Sequence, residues 1–464
     1  MSTKIRNNQI QGGVVNVFDF MSTAQIADVA SGAGAIDVSA AIQAAINSKT
    51  NLTVHFPEGK YRIESQIEID CTLKYSVNLL GSAARGCELA WYGPPNTAML
   101  YYHDGQNSDI VNIEQLQFNN YIRTGDATLN GVVAIQLGVI GSSTRGVCNA
   151  TIRKCLFQFF EKTVDIYYES DQFTFEDNYV SIWTDIAIDM TRAGASMRIN
   201  NNHFMGGQGG SITVKAYGVT GLSICGNTMQ NGTSGDFIFL ENCQSFRLAT
   251  NYTESTGSQW FAYVTGSYIG YIGENFMGAY GSGAKLLDFQ NASHDITIGP
   301  NWAITSTVTN FVNIATGSTR INVLGNQYVL GALVGAKYVG TPAFFFDDTQ
   351  MFSEVPFSCS GSITSTKLRS YSGSISVGAS TFALVVTVDN GSGGSMYIVH
   401  STQGAENYSA TALVTCPEGG AAAVIVDWGH TNANFTLSVN GLDIRVNNGV
   451  GAERTAVTSY LRLQ

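Results

Sequence analysis

One phrase recurs through the middle of the chain and decides the fold. It appears as FTFEDNYV at 173–180, MRINNNHF at 197–204, LSICGNTM at 222–229 and FRLATNYT at 246–253. In each copy apolar residues alternate with polar ones, and an Asn and an aromatic residue or Met follow. The Asn recurs with steps of 24, 25, 24, 24, 26 and 25 residues, at Asn178, Asn202, Asn227, Asn251, Asn275, Asn301 and Asn326. An earlier copy, IRKCLF, has Cys155 in the Asn position.

A repeat of 20–50 residues is typical of a solenoid or a propeller. Every unit here also contains a second run of period two, such as IAIDM from 186 or DFIFLEN from 236, and no amphipathic helix. This excludes helical and leucine-rich repeats, and a propeller blade needs about 40 residues. Units of about two dozen residues with two or three short strands therefore predict an all-β chain, a right-handed parallel β-helix.

The recurrent Asn has a structural explanation. Asn tolerates the left-handed backbone conformation of a turn, and its amide can stack on the amide of the next coil. We therefore expect an Asn ladder at one turn of the β-helix, and not a row of ligands.

Composition excludes several classes of function. Charged residues make up 13% of the chain, against roughly 25% in typical soluble domains, and the net charge is −11. Nucleic acid is therefore an unsuitable partner, since binding phosphate needs a basic stripe. No apolar run is long enough to span a membrane, and the first residues lack the apolar run of a signal peptide. Cys and His show no metal-ligand spacing, so no metal or cofactor is expected.

Both ends of the repeat have features of their own. VVNVFDF at 14–20 predicts a strand, and Ser22 predicts a helix N-cap with Gln25 in the capping-box position. Asp37 is the expected start of a second helix, whose apolar face can cover the first coil. We expect 1–60 to form this cap and 61–346 to form the β-helix.

The period stops after Phe346, and the rest of the chain has strand runs separated by Gly, Ser and Asn. This pattern predicts a C-terminal antiparallel β-sandwich over 347–464. Hairpin turns are expected at 439–442 and at 446–449.

The N-terminal region resembles a known family. VFDFMSTAQIADV (17–29), DVSAAIQAAINS (37–48), LTVHFPEGKYRI (52–63) and LLGSAARGCELAW (79–91) are similar, in this order, to the opening of phage tailspikes and capsule depolymerases with a pectate-lyase-like β-helix. The resemblance implies a homotrimer on the phage tail of a virion, in contact with other tail proteins. It implies binding, and usually cleavage, of capsular polysaccharide or O-antigen at the host surface. It assigns trimerisation, carbohydrate binding or both to the C-terminal domain.

In one respect the sequence departs from this family. Tailspikes often carry an N-terminal virion-attachment domain, and here only about 13 residues precede the first predicted strand. We expect either docking through another tail protein or an attachment domain outside this sequence.

Hydrolysis of a glycosidic bond needs two carboxyl groups. On a β-helix they can come from adjacent coils, about 4.8 Å apart. Because charges are scarce, acids near aromatic residues in the repeat are the best candidates. The predicted catalytic residues are Glu241, Glu254, Asp236 and Asp189, and the predicted sugar-binding residues are Trp260, Trp183, Tyr252 and Lys215.

Three alternatives stay open at this point. A lyase would use a Tyr or His base and a cation, for which Tyr252, His203, Lys215, Arg198 and Arg247 are available. The chain could instead be a glycan-binding adhesin without enzymatic activity, or a structural tail fibre. If the active groove lies between chains, Glu169, Asp171 or Asp185 would supply the carboxylates.

Overall fold

A computed structural model describes residues 13–340 except 73, 75, 104–109, 126–127, 140–145, 169, 192–193, 231–234, 255–256, 279, 306–307, 325–326 and 332, and also the backbone of Phe344–Phe345 and of eight strands between 368 and 463. The chain divides into two compact units, Met1–Phe352 and Ser353–Gln464. The part of the chain described is mostly strand and contains few helices.

The first unit opens with strand Val14–Asn16, the 3-10 helix Val17–Phe20, and helix α1 at Thr23–Ser31. The predicted capping box is confirmed: the Ser22 side chain accepts from the Gln25 backbone N–H, and the Gln25 side chain accepts from the Ser22 backbone N–H. α1 ends at Gly32, which adopts the left-handed conformation with φ of 75°.

Helix α2 spans Ser39–Asn47 and starts two residues later than predicted. Asp37 lies before it, and its carboxylate accepts a hydrogen bond of 3.0 Å from the Ser39 backbone N–H. The apolar side of α2 joins the hydrophobic core through Ile42, Ala45 and Ile46. A lid function of this helix on the first coil stays a prediction. No helix in the described part is long and apolar enough to cross a membrane.

The remaining strands of this unit pair in parallel and form coils with three faces. Face A consists of Val14–Asn16, Asn51–Phe56, Ser76–Gly81, Ile110–Glu114, Ala150–Arg153, Thr174–Glu176, Ala195–Asn200, Thr220–Cys225, Gln244–Ala249, Tyr268–Gly273, His294–Ile298, Thr319–Val323 and Phe344–Phe345. Face B consists of Gly59–Ile63, Cys87–Trp91, Gln117–Asn120, His203–Gly207, Thr228–Gln230, Tyr252–Glu254, Phe276–Gly278, Asn301–Thr305 and Gln327–Gly331. Face C consists of Ile67–Asp70, Ala98–His103, Val133–Leu137, Ile212–Tyr217, Asp236–Glu241, Ala262–Thr265, Lys285–Gln290, Asn310–Ile314 and Tyr338–Val339.

Two longer strands, Leu156–Tyr167 and Tyr179–Thr191, run through face B and then face C. They bend where Phe159 and Ile182 have φ of 67° and 61°. The chain thus winds from face A to face B to face C in every coil, which confirms the predicted parallel β-helix.

The core forms because inward positions stay in register from coil to coil. On face A, for example, Ile199, Ile224 and Leu248 are paired partners in three successive coils, and each is fully buried. Apolar side chains therefore stack along the axis and leave water together, and this burial is the main favourable term in folding.

The predicted Asn ladder is confirmed. From Asn178 to Asn275, each side-chain amide donates to the side-chain oxygen of the next Asn at 3.0–3.1 Å, and every member is buried. The ladder continues from Asn301 to Gln327 at 2.9 Å. Asn326, predicted for this last position, lies outside the described residues. At the other end Cys155 takes the equivalent position, where its backbone N–H donates to the Asn178 side chain at 2.9 Å.

One detail of the predicted turn is wrong. From Asn178 to Asn275 the left-handed conformation belongs to the residue before each ladder Asn, for example Asp177 with φ of 55° and Asn201 with φ of 57°. The ladder Asn is thus free of backbone strain, and its amide points inward where the hydrogen bonds form.

The second unit contains two antiparallel sheets. One has the strand order Leu368–Val377, Arg454–Leu463, Ser395–Gln403, Tyr408–Cys416 and Ala423–His430, and the other the order Thr381–Thr387, Asp443–Asn448 and Phe435–Asn440. Pairing of Asn440 with Asp443 agrees with the first predicted hairpin. The second is wrong, because the strand after Asn448 joins the other sheet. A sandwich of these sheets stays a prediction.

We expect Asn227→Ala to lower the free energy of unfolding by about 3 kcal/mol or more, since each buried polar group left without a partner costs about 1–3 kcal/mol. Asn227 donates to the Ile199 carbonyl and to Asn251, and its oxygen accepts twice from Asn202. Denaturant unfolding measures the change. Thr220→Ala, at an exposed position of face A, is the control and should change it by less than about 0.5 kcal/mol. Equal losses in both variants would contradict a stabilising ladder.

Candidate functional site

Face C presents a continuous outward row of polar and aromatic side chains, which we call the face C row. In coil order it contains Glu68, Tyr101, Gln136, Asp165, Asp189, Lys215, Phe239, Tyr263, Asp288 and Asn313. Strand alternation explains the row: Val164 and Ile166, on either side of Asp165, are buried in the core.

Two acids lie side by side in this row. Asp165 and Asp189 are paired partners on adjacent coils, and Lys162 bridges them. The Lys162 Nζ atom is 3.2 Å from Asp165 Oδ2 and 2.6 Å from Asp189 Oδ2. These two carboxylate oxygens are therefore at most about 6 Å apart, which includes the separation of about 5–5.5 Å in retaining glycosidases.

Asp165 has unusual surroundings. Burial raises the pKa of its carboxyl group to about 6, although the Lys162 ammonium and a hydrogen bond from the Tyr167 hydroxyl lower it. Tyr167 donates to Asp165 Oδ2 at 2.7 Å, whereas the buried Oδ1 has no hydrogen-bond partner among the described residues. Asp165 can therefore carry a proton at mildly acidic pH, a requirement for a general acid.

The Lys162 ammonium remains charged in this cluster. Burial lowers its pKa, but Asp165 and Asp189 together raise it above the ordinary value. Thr191 adds a hydrogen bond of 3.4 Å to the other oxygen of Asp189. Asp185, half-exposed, lies 4.0 Å from the same ammonium.

Two coils farther along face C, aromatic rings form a cluster. Phe239 and Tyr263 stack with centroids 5.2 Å apart, and Trp260 packs against them at 6.0 and 5.7 Å. Lys215 lies between this cluster and Asp189, with its Nζ 5.9 Å from the Phe239 centroid. Aromatic surfaces with a charged neighbour suit the apolar faces and hydroxyls of a sugar.

Asp236 positions Trp260. Its carboxylate accepts hydrogen bonds from the backbone N–H groups of Gln259 and Trp260 at 2.6 and 3.2 Å. Burial raises the pKa of Asp236 to about 6, although these two hydrogen bonds lower it. The geometry suits a turn that holds the indole in place.

The structure brings together only some of the predicted site residues. Asp189, Lys215, Asp236, Glu241 and Trp260 belong to face C or its border, whereas Tyr252 and Glu254 lie on face B. Glu254 accepts hydrogen bonds from Gln230 and Tyr252. The strand of Glu241 starts at Asp236, next to face B, and ends at Glu241, about 16 Å farther along the strand. Glu241 and Glu254 therefore do not face each other as an acid pair.

Trp183 has no ring surface available to a sugar. It is fully buried in the core, and its indole N–H donates to the Ile212 carbonyl at 3.1 Å.

The residues considered for a lyase are spread over three faces. Tyr252 and His203 are on face B, Lys215 is on face C, and Arg198 and Arg247 are on face A. They do not converge on one site.

The acids considered for a groove between chains have separate positions. Asp171 accepts a hydrogen bond of 2.5 Å from the Ala195 backbone N–H, and Asp185 belongs to the Lys162 cluster. Glu169 lies outside the described residues. In the described part of the chain, no group of three or more His, Cys, Asp or Glu side chains could hold a metal ion.

Sequence reasoning missed Asp165, Lys162 and Tyr167. The signal was present: VDIYY from 164 and IAIDM from 186 both place an Asp between apolar residues, 24 residues apart. One coil length between two acids at the same strand position predicts adjacent carboxylates.

Comparison with known proteins agrees with this fold. Residues 28–245 match the family model described as rhamnogalacturonase A/epimerase, pectate lyase-like. The structure is similar to that of DFA-IIIase from Arthrobacter chlorophenolicus A6 without its lid in complex with GF2, at 13% identity, 75% coverage of this chain, 97% of that chain and a TM-score of 0.56. A search of curated proteins gives no significant match.

Two phage proteins are also similar in structure. The tailspike protein of Acinetobacter phage vB_ApiP_P1 has 14% identity, 98% coverage of this chain, 88% of that chain and a TM-score of 0.38. ORF18 of Geobacillus virus E2 has 14% identity, 95% and 85% coverage and a TM-score of 0.40. The family match confirms the resemblance to pectate-lyase-like β-helices.

As pH rises from about 4 to about 7, we expect the free energy of unfolding of Asp165→Asn to increase relative to that of the wild type. The folded-state pKa of Asp165 is above the unfolded value, so its stabilising contribution is complete at low pH and is lost as pH rises through about 6. Thermal melts across this range measure the difference. Asp185→Asn, which removes the half-exposed neighbour, is the control and should show a smaller change. A difference for Asp165→Asn that is independent of pH would contradict the raised pKa.

Proposed function

We propose that this pectate-lyase-like β-helix is a phage tailspike that depolymerises bacterial capsular polysaccharide or O-antigen by hydrolysing glycosidic bonds. In this proposal it acts on the virion tail at the host surface, as a homotrimer joined to other tail proteins. The order of the four N-terminal motifs and the β-helix support the assignment.

The observation that carries hydrolysis is the pair Asp165 and Asp189. The two carboxylate oxygens are at most about 6 Å apart, a limit that admits the spacing of a retaining glycosidase. Their surroundings differ, because burial favours a proton on Asp165, whereas Asp189 has the shorter contact to Lys162. The reaction requires one carboxyl group that donates a proton and one that attacks as a carboxylate.

The roles follow from these surroundings. Asp165, protonated below about pH 6, donates its proton to the oxygen of the leaving sugar. The Asp189 carboxylate attacks the anomeric carbon from the other side, and water then releases the glycosyl group with Asp165 as the base. Tyr167 holds the Asp165 carboxyl group in place, and Lys162 bridges the two carboxyl groups until substrate is bound.

Substrate reaches the pair past Lys162. The side chains of Asp165 and Asp189 are only 4% and 7% exposed, and that of Lys162 is 18% exposed. A sugar bound along the face C row, with its other residues on the Phe239 and Tyr263 rings, has to displace the ammonium. The ion pairs thus protect the carboxyl groups until substrate is bound.

We expect Asp165→Asn and Asp189→Asn each to lower the rate of polysaccharide cleavage by at least about 100-fold, the range of general acid–base catalysis. Release of reducing ends from a panel of purified capsular polysaccharides and O-antigens measures the rate. Glycan binding should survive, because both changes preserve side-chain size. Activity of the wild type should fall as pH rises above about 6, as Asp165 loses its proton.

Glu241→Gln and Glu254→Gln are matched controls, because each removes a carboxylate away from the pair. Full activity in both aspartate variants, together with loss in either glutamate variant, would contradict this site. If the aspartate variants lose thermal stability and keep activity, the cluster is a structural ion-pair network.

Two alternatives are outcomes of the same assay. Products with the ultraviolet absorbance of an unsaturated uronate would replace hydrolysis by a lyase reaction. Binding of a polysaccharide without cleavage would indicate a non-enzymatic receptor-binding protein.

The homotrimer is a separate prediction. Light scattering of the full chain should give three times the single-chain mass of 49.7 kDa. The sides of a coil stack and the strands of the second unit supply surfaces that can join copies. A mass of one chain would contradict the trimer.

A further inference from the structure

Face A carries a groove that the proposed reaction does not use. It has a volume of about 490 Å³ and crosses four successive coils on the outward side. Cavities of about 300–1,000 Å³ are typical of ligand sites. Four coils spaced about 4.8 Å apart give a length of about 14 Å, enough for a short oligosaccharide.

Two aligned rows line the groove. The first contains Asn112, Thr151, Thr174 and Arg198, which are paired partners in successive coils. The second contains Ile110, Asn149, Gln172 and Ser196. The last three have φ of 53°, 58° and 63°, so the backbone bends at the same point in three coils. This repeated bend follows one side of the groove and gives it a straight axis.

The chemistry of the lining points to a sugar. Six of the eight lining side chains are amides or hydroxyls, and none is a carboxylate. Amides and hydroxyls both donate and accept hydrogen bonds, as sugar hydroxyls do. Ile110, exposed at 47%, offers an apolar surface at one end.

Arg198 gives the groove a preference for anions. Its side chain is exposed, and no acid among the described residues forms a salt bridge with it. Arg247 follows two coils along the same outward row, about 10 Å farther on. Ser223 lies between the two arginines, so this row has two positive charges about 10 Å apart, of which Arg198 lines the groove. A guanidinium binds carboxylate or phosphate with two parallel hydrogen bonds.

We propose that this groove is a second, non-catalytic saccharide site that holds an acidic stretch of a polysaccharide. Two of its four coils also carry Asp165 and Asp189, but the groove lies on face A. A polymer held there raises the local concentration of its other segments near the face C row. The groove does not depend on the proposed hydrolysis, because none of its lining residues belongs to the acid pair.

The test uses an array of acidic and neutral bacterial oligosaccharides, with the acidic ones bearing either carboxylate or phosphate, and the double variant Asp165→Asn, Asp189→Asn of the full chain. We expect this variant to bind acidic oligosaccharides and to bind neutral ones at least tenfold more weakly. Addition of Arg198→Gln should lower acidic binding at least tenfold. Arg85→Gln, which removes an exposed charge outside the groove, should leave it unchanged.

Thr174→Val, which removes one groove hydroxyl at constant size, should weaken binding of every oligosaccharide that the groove accepts. The carboxylate and phosphate members identify the anion. Unchanged acidic binding on addition of Arg198→Gln would overturn the proposal, as would no binding of acidic oligosaccharides by the double variant. If the double variant loses cleavage and still binds acidic oligosaccharides, both proposed sites are supported. If the double variant retains cleavage, the proposed hydrolase site is wrong, and the proposal of the groove is unaffected.

Discussion

The hydrogen bond from each ladder amide to the next fixes the register on which the structure depends. Asn202, Asn227 and Asn251 are buried, and each amide donates to a backbone carbonyl of the preceding coil and to the ladder side chain of the next coil. A coil that slips by one residue would leave several buried polar groups without partners, at about 1–3 kcal/mol each. The ladder hydrogen bonds therefore require that the Asn residues recur once per coil in the sequence.

A fixed register turns a position in one coil into a column along the axis. Inward columns become the apolar core, and outward columns become surfaces with one chemistry over several coils. The face C row combines the adjacent acids Asp165 and Asp189 with an aromatic cluster, whereas the groove on face A is lined by amides, hydroxyls and Arg198. Different faces of the same coils can therefore bind different parts of one polymer.

The sequence predicts what depends on the period and misses what depends on position around the coil. The spacing of the recurrent Asn residues was sufficient to predict the ladder, and the capping box of Ser22 and Gln25 was sufficient to predict the helix that follows. Glu241 and Glu254 are 13 residues apart, about half a coil, so they are on different faces despite their proximity in sequence. The 24-residue spacing of Asp165 and Asp189 indicated their pairing, but the place of Lys162 beside both acids depends on the bend at Phe159 and on the register shift between Phe160 and Lys162, which the period does not indicate.

The most direct test of this account is a crystal structure of the Asp189→Asn variant with an oligosaccharide of the polysaccharide that the protein cleaves. The account predicts sugar along the face C row, with a glycosidic oxygen within hydrogen-bond distance of Asp165 and sugar rings against Phe239, Trp260 or Tyr263. It also predicts that Lys162 no longer bridges the two side chains. An oligosaccharide bound in a groove between chains, with Asp165 and Lys162 undisturbed, would contradict it.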